Sequence, residues 1–321
     1  MNTDTRRLGI HQITMPIPFP LAQVHAYLIE TGDGWAMVDA GFPSEEALAV
    51  MRKEIERIAG GPEQIRTVFI SHYHPDHSGL AGWLERAGAQ IVIHERDFPQ
   101  VRRMNSEEPV KPEEYGGAAF AAMAAATSFS FEEMRKDIHR LRFPVREPRL
   151  VQGGETVSVG GREFKLVWTP GHTEGHLCVL DVTANLLFCG DHMLARITPH
   201  IGMWRDNGSN PLHRYEESLA LVEELAPARG LPAHEAPIED LAWRARDLRR
   251  HHGERRQRIL DAMGADLRKP LDIATAVFKG REGPMQTFLA LSETLSHLEA
   301  LVLEHLVVRE ETSDGVLYRV A

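Results

Sequence analysis

Cysteine is scarce in this chain: only two of its 321 residues, Cys178 and Cys189, carry a thiol. Both lie inside apolar runs that predict buried strands. Two thiols exclude a disulfide-rich scaffold, and their apolar surroundings predict free, buried side chains in a reducing compartment. A single disulfide, or a metal-binding role for the pair, is the alternative.

Long hydrophobic runs are also absent. No stretch of about 18 apolar residues occurs, which disfavours a membrane-spanning helix. Residues 1–9 contain Asp4, Arg6 and Arg7 and lack the apolar core of a signal peptide. We therefore expect a cytoplasmic protein with no membrane partner.

Positive charge is in deficit, with 36 Lys and Arg residues against 46 Asp and Glu residues and a formal net charge of −10. The excess acid lies in residues 1–240, which hold 23 basic and 34 acidic residues, whereas 241–321 hold 13 and 12. This balance disfavours nonspecific binding to nucleic acid. Apolar residues make up 43% of the chain, which is typical of a globular protein with a core.

Histidine, by contrast, is concentrated in one short stretch. After the apolar run 67–70, which predicts a buried strand, come His72, His74, Asp76 and His77. Side chains two apart in an extended segment point the same way, so His72 and His74 can bind one metal ion together. Pro75 turns the chain and directs Asp76 and His77 elsewhere, which suits a second ion. These ligands favour zinc, although iron, manganese or cobalt also fit; a histidine-rich surface loop is the alternative.

Three further potential ligands, His172, Asp191 and His234, also stand at the ends of predicted strands. Asp39 follows an apolar strand in the same way. It is placed to orient the metal loop from behind, and a turn-capping role is equally open. Strands and helices alternate through residue 94, which predicts an α/β layered domain.

The chain divides into a catalytic domain, residues 1–240, and a C-terminal part. Residues 98–148 predict a helical insert, which is either a lid over an apolar pocket or a helical pair that packs on the sheet or on another subunit. Residues 241–264 predict a connecting helix, with seven arginines between Arg244 and Arg258. Two helices and a hairpin in residues 265–321 predict a small winged-helix-like domain.

The strand-end ligands match, in order, the pattern His-x-His-x-Asp-His, then His, Asp and His. This chain therefore resembles the metallo-β-lactamase-fold hydrolases over residues 8–240, and its C-terminal part is similar to the LACTB-like or hydroxyacylglutathione-hydrolase-like branch. The resemblance implies an α/β fold, a four-layer αββα sandwich, with two divalent metal ions, zinc above iron or manganese. It assigns His72, His74 and His172 to the first ion, and Asp76, His77 and His234 to the second. Asp191 bridges the two ions.

The resemblance also implies the chemistry. Two such metals lower the pKa of a bridging water to about 7 or below, so hydroxide forms at neutral pH without a Ser or Cys nucleophile. Asp76 would also receive or steer the proton, and together with Asp191 it is the expected catalytic pair. His74 stands where di-iron oxidoreductases of the family carry Glu, which favours a hydrolase. Glu235 replaces the Gly that commonly follows the last ligand.

Substrate-pocket residues are predicted from loops beside the ligand-bearing strand ends. The candidates are His25, Tyr73, Arg196, His200, Trp204 and His213. Arg196 would bind a substrate carboxylate or phosphate, and an ordinary surface arginine is the alternative. We expect His176, His192 and His200 to support the site rather than bind metal, because the seven ligand positions are filled.

The leading functional prediction is hydrolysis of a thioester, lactone or carboxylic ester in a small, partly apolar metabolite. The apolar preference follows from the Phe and Met residues of the insert. A phosphodiesterase or endoribonuclease is the alternative that the C-terminal part suggests. The helix over 286–302, however, has Glu293 and Glu299 and no Lys or Arg, which disfavours nucleic acid as a partner.

Two other possibilities concern the C-terminal part and the family name. Leucines in the C-terminal helices fit a part that serves only as a dimerisation or lid element, so a homodimer is one of the partners considered. A β-lactamase is less expected, because no secretion signal is evident.

Overall fold

The first of two large sheets has six strands that follow chain order across the sheet. A computed structural model describes residues 3–105, 123–128, 141–203, 210–264, 266–280, 283–313 and 315–321. The strands are β1 (Ile10–Pro16), β2 (Gln23–Thr31), β3 (Gly34–Val38), β4 (Ile65–Phe69), β5 (Gln90–His94) and β6 (Arg149–Val151). β1 to β3 pair antiparallel, and β3 to β6 pair parallel. The parallel half therefore sends the carboxyl ends of its strands to one edge.

The second sheet has five strands in the order β11-β10-β9-β8-β7. They are β7 (Thr156–Val159), β8 (Arg162–Trp168), β9 (Leu177–Asp181), β10 (Leu186–Gly190) and β11 (Arg229–Pro232). All neighbours are antiparallel except β10 and β11, which are parallel. This pairing points the carboxyl ends of β8, β10 and β11 in the same direction.

Helices cover the outer faces and form most of the C-terminal part. They are α1 (Thr3–Arg7), α2 (Glu45–Ala59), α3 (Pro75–Ser78), α4 (Ala81–Arg86), α5 (Phe98–Met104), α6 (Pro211–Leu225), α7 (Leu241–Met263), α8 (Pro270–Val277) and α9 (Pro284–Leu303). A short 3-10 helix spans Pro62–Gln64, and a hairpin joins β12 (Val307–Thr312) to β13 (Gly315–Val320). None of the described helices is long and apolar enough to span a lipid bilayer.

The two sheets pack face to face through aromatic side chains. The rings of Tyr27 and Phe188, and those of Phe69 and Phe164, lie with centroids 5.1 Å apart across the interface. Each of these residues is at most 3% exposed, so the interface is a closed core. Sheets pack in this way when each has one apolar face.

The outer faces of both sheets are also buried. Leu48, Met51 and Ile55 of α2 belong to the core on the first sheet. On the second sheet, Leu219 and Val222 of α6 do the same. The order helix, sheet, sheet, helix confirms the predicted α/β, four-layer αββα sandwich.

Local capping explains where the covering helices begin and end. The Ser44 hydroxyl accepts a hydrogen bond from the Ala47 amide at 3.1 Å, and Gly60 ends α2 in the left-handed conformation with φ of 86°. Asn210 caps α6, because its side chain accepts a hydrogen bond from the His213 amide at 3.3 Å. The helix predicted over residues 241–264 is α7, which Asp240 caps through the Trp243 amide at 2.8 Å.

The C-terminal part has the predicted order of two helices and a hairpin. Ile259 and Met263 of α7 share a small core with Leu298 of α9 and Tyr318 of β13. α9 also contributes Ala300 to the core on the second sheet, so the C-terminal part packs on the sandwich. Its winged-helix classification and the domain boundaries stay predictions.

The predicted lid falls partly outside the described residues. Of residues 98–148, the structure describes α5, Asn105, residues 123–128 and residues 141–148. Met123 and Ala124 are buried against Phe288 and Leu291 of α9. The described piece of the insert therefore packs against the C-terminal helices, and its function as a lid stays a prediction.

Candidate metal centre

The predicted ligands lie in loops that follow β4, β8, β10 and β11, where the carboxyl ends of both sheets meet. Backbone hydrogen bonds join these loops directly. The Leu177 amide donates to the Ser71 carbonyl at 2.7 Å, and the Ala233 amide donates to the Gly190 carbonyl at 3.0 Å. Residues far apart in the chain are therefore held at one edge of the sandwich.

His72, His74 and His172 each bring one ring nitrogen to a common point. The Nδ1 atom of His74 lies 2.9 Å from His72 Nε2 and 3.0 Å from His172 Nε2. Because His172 Nδ1 donates to the His200 carbonyl at 2.9 Å, its Nε2 atom can present a lone pair. These three residues form the first ligand group, whose arrangement suits one divalent metal ion.

Asp76, His77 and His234 form the second ligand group, with one donor atom each within 4.8 Å of the others. Asp191 lies between the two groups. Its Oδ2 atom is 3.7 Å from His77 Nε2 and 3.7 Å from His172 Nε2, and its Oδ1 atom is 3.5 Å from His234 Nε2. This is the position of a carboxylate that could bridge two ions.

Three donor atoms in these groups are buried and lack a hydrogen-bond partner among the described residues. They are His77 Nε2, Asp191 Oδ1 and His234 Nε2. A buried, unsatisfied polar atom costs roughly 1–3 kcal/mol, so three at one place indicate a bound group that satisfies them. Imidazole and carboxylate donors without thiolate fit divalent ions such as zinc. The residues present therefore fit two metal ions.

Protein oxygens hold the second ring nitrogen of four ligand histidines. The pairs are His72 Nδ1 with Ser71 Oγ (3.0 Å), His77 Nδ1 with Asp39 Oδ2 (2.8 Å), His172 Nδ1 with the His200 carbonyl (2.9 Å) and His234 Nδ1 with the Gln23 carbonyl (2.6 Å). Such partners fix the ring orientation of a metal ligand. Asp39 also accepts from the amide and hydroxyl of Ser71, at 2.8 and 2.9 Å, so it lies behind the metal loop.

Burial keeps the first ligand group uncharged. It lowers the pKa of His74 to about 3 and holds that of His72 well below its usual range. Burial also lowers the pKa of His172, against the opposing effect of the Asp191 carboxylate. The neutral imidazole is the form that binds metal.

Negative charge gathers around the second ligand group. Burial opposes a charge on His77, yet the carboxylates of Asp76, Asp191 and Asp39 outweigh it and raise the His77 pKa. Burial likewise opposes ionisation of Asp191, but His234 and His77 hold its pKa well below the usual range. Ionised carboxylates at this point attract a cation.

Comparison with known proteins shows the family to which the chain belongs. Residues 20–250 match the model of the Metallo-beta-lactamase superfamily. The chain belongs to this superfamily. It is 25% identical over 336 aligned residues to the probable metallo-hydrolase YqjP of Bacillus subtilis (strain 168), and the match covers 96% of each chain.

Solved structures of the superfamily are similar over nearly the whole chain. The metallo-beta-lactamase family protein TTHA1429 of Thermus thermophilus matches with a TM-score of 0.84 and 26% identity, covering 98% of this chain and 99% of that one.

A sequence relative with a named activity is also similar. An atrochrysone carboxyl ACP thioesterase of Aspergillus fumigatus is 22% identical over 223 residues, which are 70% of this chain and 40% of that protein. The prediction of a hydrolytic enzyme is confirmed.

Asp97 is a site residue that the sequence did not reveal. Its carboxylate is 1% exposed and accepts hydrogen bonds from the Tyr73 amide (3.0 Å), the Thr173 hydroxyl (2.7 Å) and the Gly175 amide (2.7 Å). Tyr73 lies between two ligands of the first group, and Thr173 follows the third. Asp97 therefore joins the two loops that form this group. A lone Asp before α5 has no ligand-like spacing that could have indicated this.

Two of the predicted pocket residues, His25 and Arg196, contact Glu235. Both ring nitrogens of His25 are engaged, with Thr14 Oγ1 at 3.0 Å and the Glu235 carbonyl at 3.0 Å. Arg196 pairs with the Glu235 carboxylate at 3.3 Å, and that carboxylate also accepts from the amides of Arg196 and Ile197 at 2.8 and 3.2 Å. Glu235 thus anchors the neighbouring loop, and the assignment of His25 and Arg196 to the substrate pocket stays a prediction.

The other predicted pocket residues differ in position. The ring of Tyr73 packs edge-on against His74 with centroids 4.7 Å apart, so Tyr73 borders the first ligand group. His200 lies beside His172 through its carbonyl. His213 is 58% exposed on α6 and pairs with Glu217 at 3.4 Å. Trp204 lies outside the described residues.

Two further histidines near the ligands in sequence, His176 and His192, are buried, and so are both cysteines. His176 Nε2 accepts from the Asp191 amide at 3.2 Å, and its Nδ1 atom lies 2.8 Å from Thr169 Oγ1. His192 is fully buried and belongs to none of the ligand groups found among the described residues. Cys178 and Cys189 are free and buried, which confirms the prediction for the thiols.

Proposed function

We propose that this enzyme is a dinuclear metal-dependent hydrolase that cleaves a thioester, lactone or carboxylic ester in a small metabolite. The observation that carries the proposal is the convergence of both ligand groups on Asp191, which lies within 3.7 Å of donor atoms in each. In this proposal each group binds one divalent ion, with zinc favoured, and Asp191 contacts both.

Two bound divalent ions would lower the pKa of water and polarise a substrate carbonyl. The residues of the chain orient these reactants. Asp76 lies 3.5 Å from His234 and 3.7 Å from His77; burial opposes its ionisation, but His77 and His234 lower its pKa, so Asp76 is ionised at neutral pH. It can accept the proton that the attacking water loses and return it to the leaving group.

Neither thiol competes for the role of nucleophile. Burial raises the pKa of Cys178 to about 12 and that of Cys189 well above its usual range. The thiolate is the reactive form of cysteine, so both groups are inert at neutral pH. This supports hydrolysis by activated water.

An ester-like bond is favoured by the relatives and by the surface of α7. The similarity to a thioesterase supports a thioester among the candidate substrates. Six of the seven arginines in α7 pair with carboxylates, which leaves little basic surface for nucleic acid. The pairs are Arg244 with Asp247, Arg246 and Arg249 with Glu223, Arg250 with Glu254, Arg255 with Glu293, and Arg256 with Glu216.

The finer placement of the enzyme is part of the same proposal. We assign it to the LACTB-like or hydroxyacylglutathione-hydrolase-like branch on the order of its C-terminal elements. Two free, buried thiols support a cytoplasmic location. A homodimer is also proposed.

A substrate panel tests the proposal. Zinc-loaded enzyme is assayed with acyl thioesters, lactones, aryl esters and phosphodiesters, beside His72→Ala and the matched control His305→Ala at an exposed histidine. We expect turnover of at least one ester-like class, a loss of more than a hundredfold in His72→Ala and no loss in His305→Ala. Turnover confined to phosphodiesters would contradict the substrate assignment.

A further inference from the structure

The middle of α9 buries a set of polar side chains. Ser292, Glu293, Thr294, Ser296 and His297 are each at most 6% exposed. Burying polar groups is costly unless they are hydrogen-bonded. Thr294 bonds within its own helix, to the Ala290 carbonyl at 2.8 Å. The Ser292 hydroxyl also donates within the helix, to the Leu289 carbonyl at 3.1 Å. In addition, Ser292 and Glu293 contact the loop that leads away from Asp191.

These contacts converge on one imidazole of that loop. The Nε2 atom of His200 lies 3.0 Å from Ser292 Oγ, and its Nδ1 atom lies 3.7 Å from Glu293 Oε2. The Met203 amide donates to the Ser292 carbonyl at 3.0 Å. Both ring nitrogens of His200 and the following backbone are therefore held by two consecutive residues of α9.

The backbone of His200 faces the metal centre. Its carbonyl accepts the Nδ1 proton of His172 at 2.9 Å, so His172 Nε2 is the ring nitrogen that presents a lone pair to the first ligand group. If this carbonyl moved away, the His172 ring could rotate, and its proton would no longer be held on Nδ1. The position of His200 thus determines how one ligand of the first group is presented.

The other part of the same loop is held by α7. Arg244 is 4% exposed and donates to the carbonyls of Leu194 (2.7 Å), Arg196 (3.1 Å) and Ile197 (2.6 Å). Two C-terminal helices therefore hold the loop that begins at Asp191 and reaches His200.

We propose that Ser292 and Glu293 are positioning residues of the metal centre: by holding the His200 imidazole, they fix the His200 carbonyl that orients His172. The inference rests on the proposed function, in which His172 binds the first metal ion. The proposal gives the C-terminal part a role in the active site of its own chain. This role requires neither dimerisation nor nucleic-acid binding.

The test compares two serines of one helix. Ser292→Ala removes the hydroxyl that contacts His200. Ser296→Ala removes an equally buried hydroxyl, one turn further on, that has no hydrogen-bond partner among the described residues. Zinc affinity of both sites is measured by competition with a chelator, and kcat and KM are measured with an ester substrate. Glu293→Gln is measured in parallel.

We expect Ser292→Ala to weaken one of the two zinc sites about tenfold and to lower kcat more than it raises KM, because ligand orientation is affected. Glu293→Gln should weaken the same site, whereas Ser296→Ala should match the wild type. If Ser292→Ala does not fold, Ser292→Thr and Ser292→Val replace it, since they differ only in the hydroxyl, and Thr alone should retain affinity.

The outcomes separate the two proposals. If the wild type binds two ions and hydrolyses esters but Ser292→Ala equals Ser296→Ala, the positioning role is overturned and the function stands. If the wild type binds no metal ion, both are overturned. A fall in melting temperature with unchanged zinc affinity would show a merely structural serine.

Discussion

Replacing Asp97 by Asn should change how the stability of the metal-free protein depends on pH. Asp97 holds the loops of the first ligand group through three hydrogen bonds, from Tyr73, Thr173 and Gly175. Burial raises the pKa of this carboxyl from 3.8 to about 7, in spite of those bonds. The substitution keeps the shape of the side chain and removes its titration.

The direction and the size of the pH effect on stability follow from this pKa. Because the folded state binds the proton more tightly, the contribution of Asp97 to stability is full below about pH 4 and is lost as the pH rises through about 7. A difference of about 3 pKa units corresponds to about 4 kcal/mol in total, at roughly 1.4 kcal/mol per unit. Roughly 3 kcal/mol of it falls between pH 4.5 and pH 8.

The assay is urea denaturation of metal-free wild type and Asp97→Asn from pH 4.5 to pH 8. Other titrating groups contribute equally to both proteins, so their difference isolates Asp97. We expect the free energy of unfolding of the wild type to fall, relative to the variant, by about 3 kcal/mol across this range. A difference that is constant with pH would refute the assignment of a buried, proton-binding carboxyl.

Three further outcomes are expected. Asp39→Ala should weaken one zinc site by about 10- to 100-fold in a chelator titration, because His77 loses its partner. Gly171→Ala should lower the melting temperature, because the φ angle of Gly171 is 145° and the added Cβ would lie 2.5 Å from Tyr215 Cβ. An unchanged melting temperature would contradict this close packing. Cys178 and Cys189 should react with a thiol reagent only after denaturation, and fast reaction of the folded protein would contradict their burial.

The parts of the site that local patterns encode could be predicted from the sequence. His72 and His74 are two residues apart after an apolar strand, and Asp39 follows another, so their placement at a sheet edge requires no knowledge of distant contacts. The α/β alternation likewise predicts the layered fold. Spacing and strand order carry this information.

Roles that depend on contacts between distant segments could not be predicted. Asp97 acts through Thr173, 76 residues away, and nothing near Asp97 marks it. Ser292 looks like an ordinary helix serine until the loop of His200 packs on it. Likewise, nothing near His25 in the chain indicates that its ring nitrogen lies 3.0 Å from the carbonyl of Glu235.

The central claim is that the two ligand groups hold two metal ions that support hydrolysis. Its most direct test is the metal content per chain, measured together with ester hydrolysis, for the wild type, Asp191→Ala and the control Asp266→Ala at an exposed aspartate. The wild type and the control should bind two divalent ions and turn over substrate, whereas Asp191→Ala should lose bound metal and activity together. Turnover that persists in Asp191→Ala, or in wild type stripped of metal, would contradict the account.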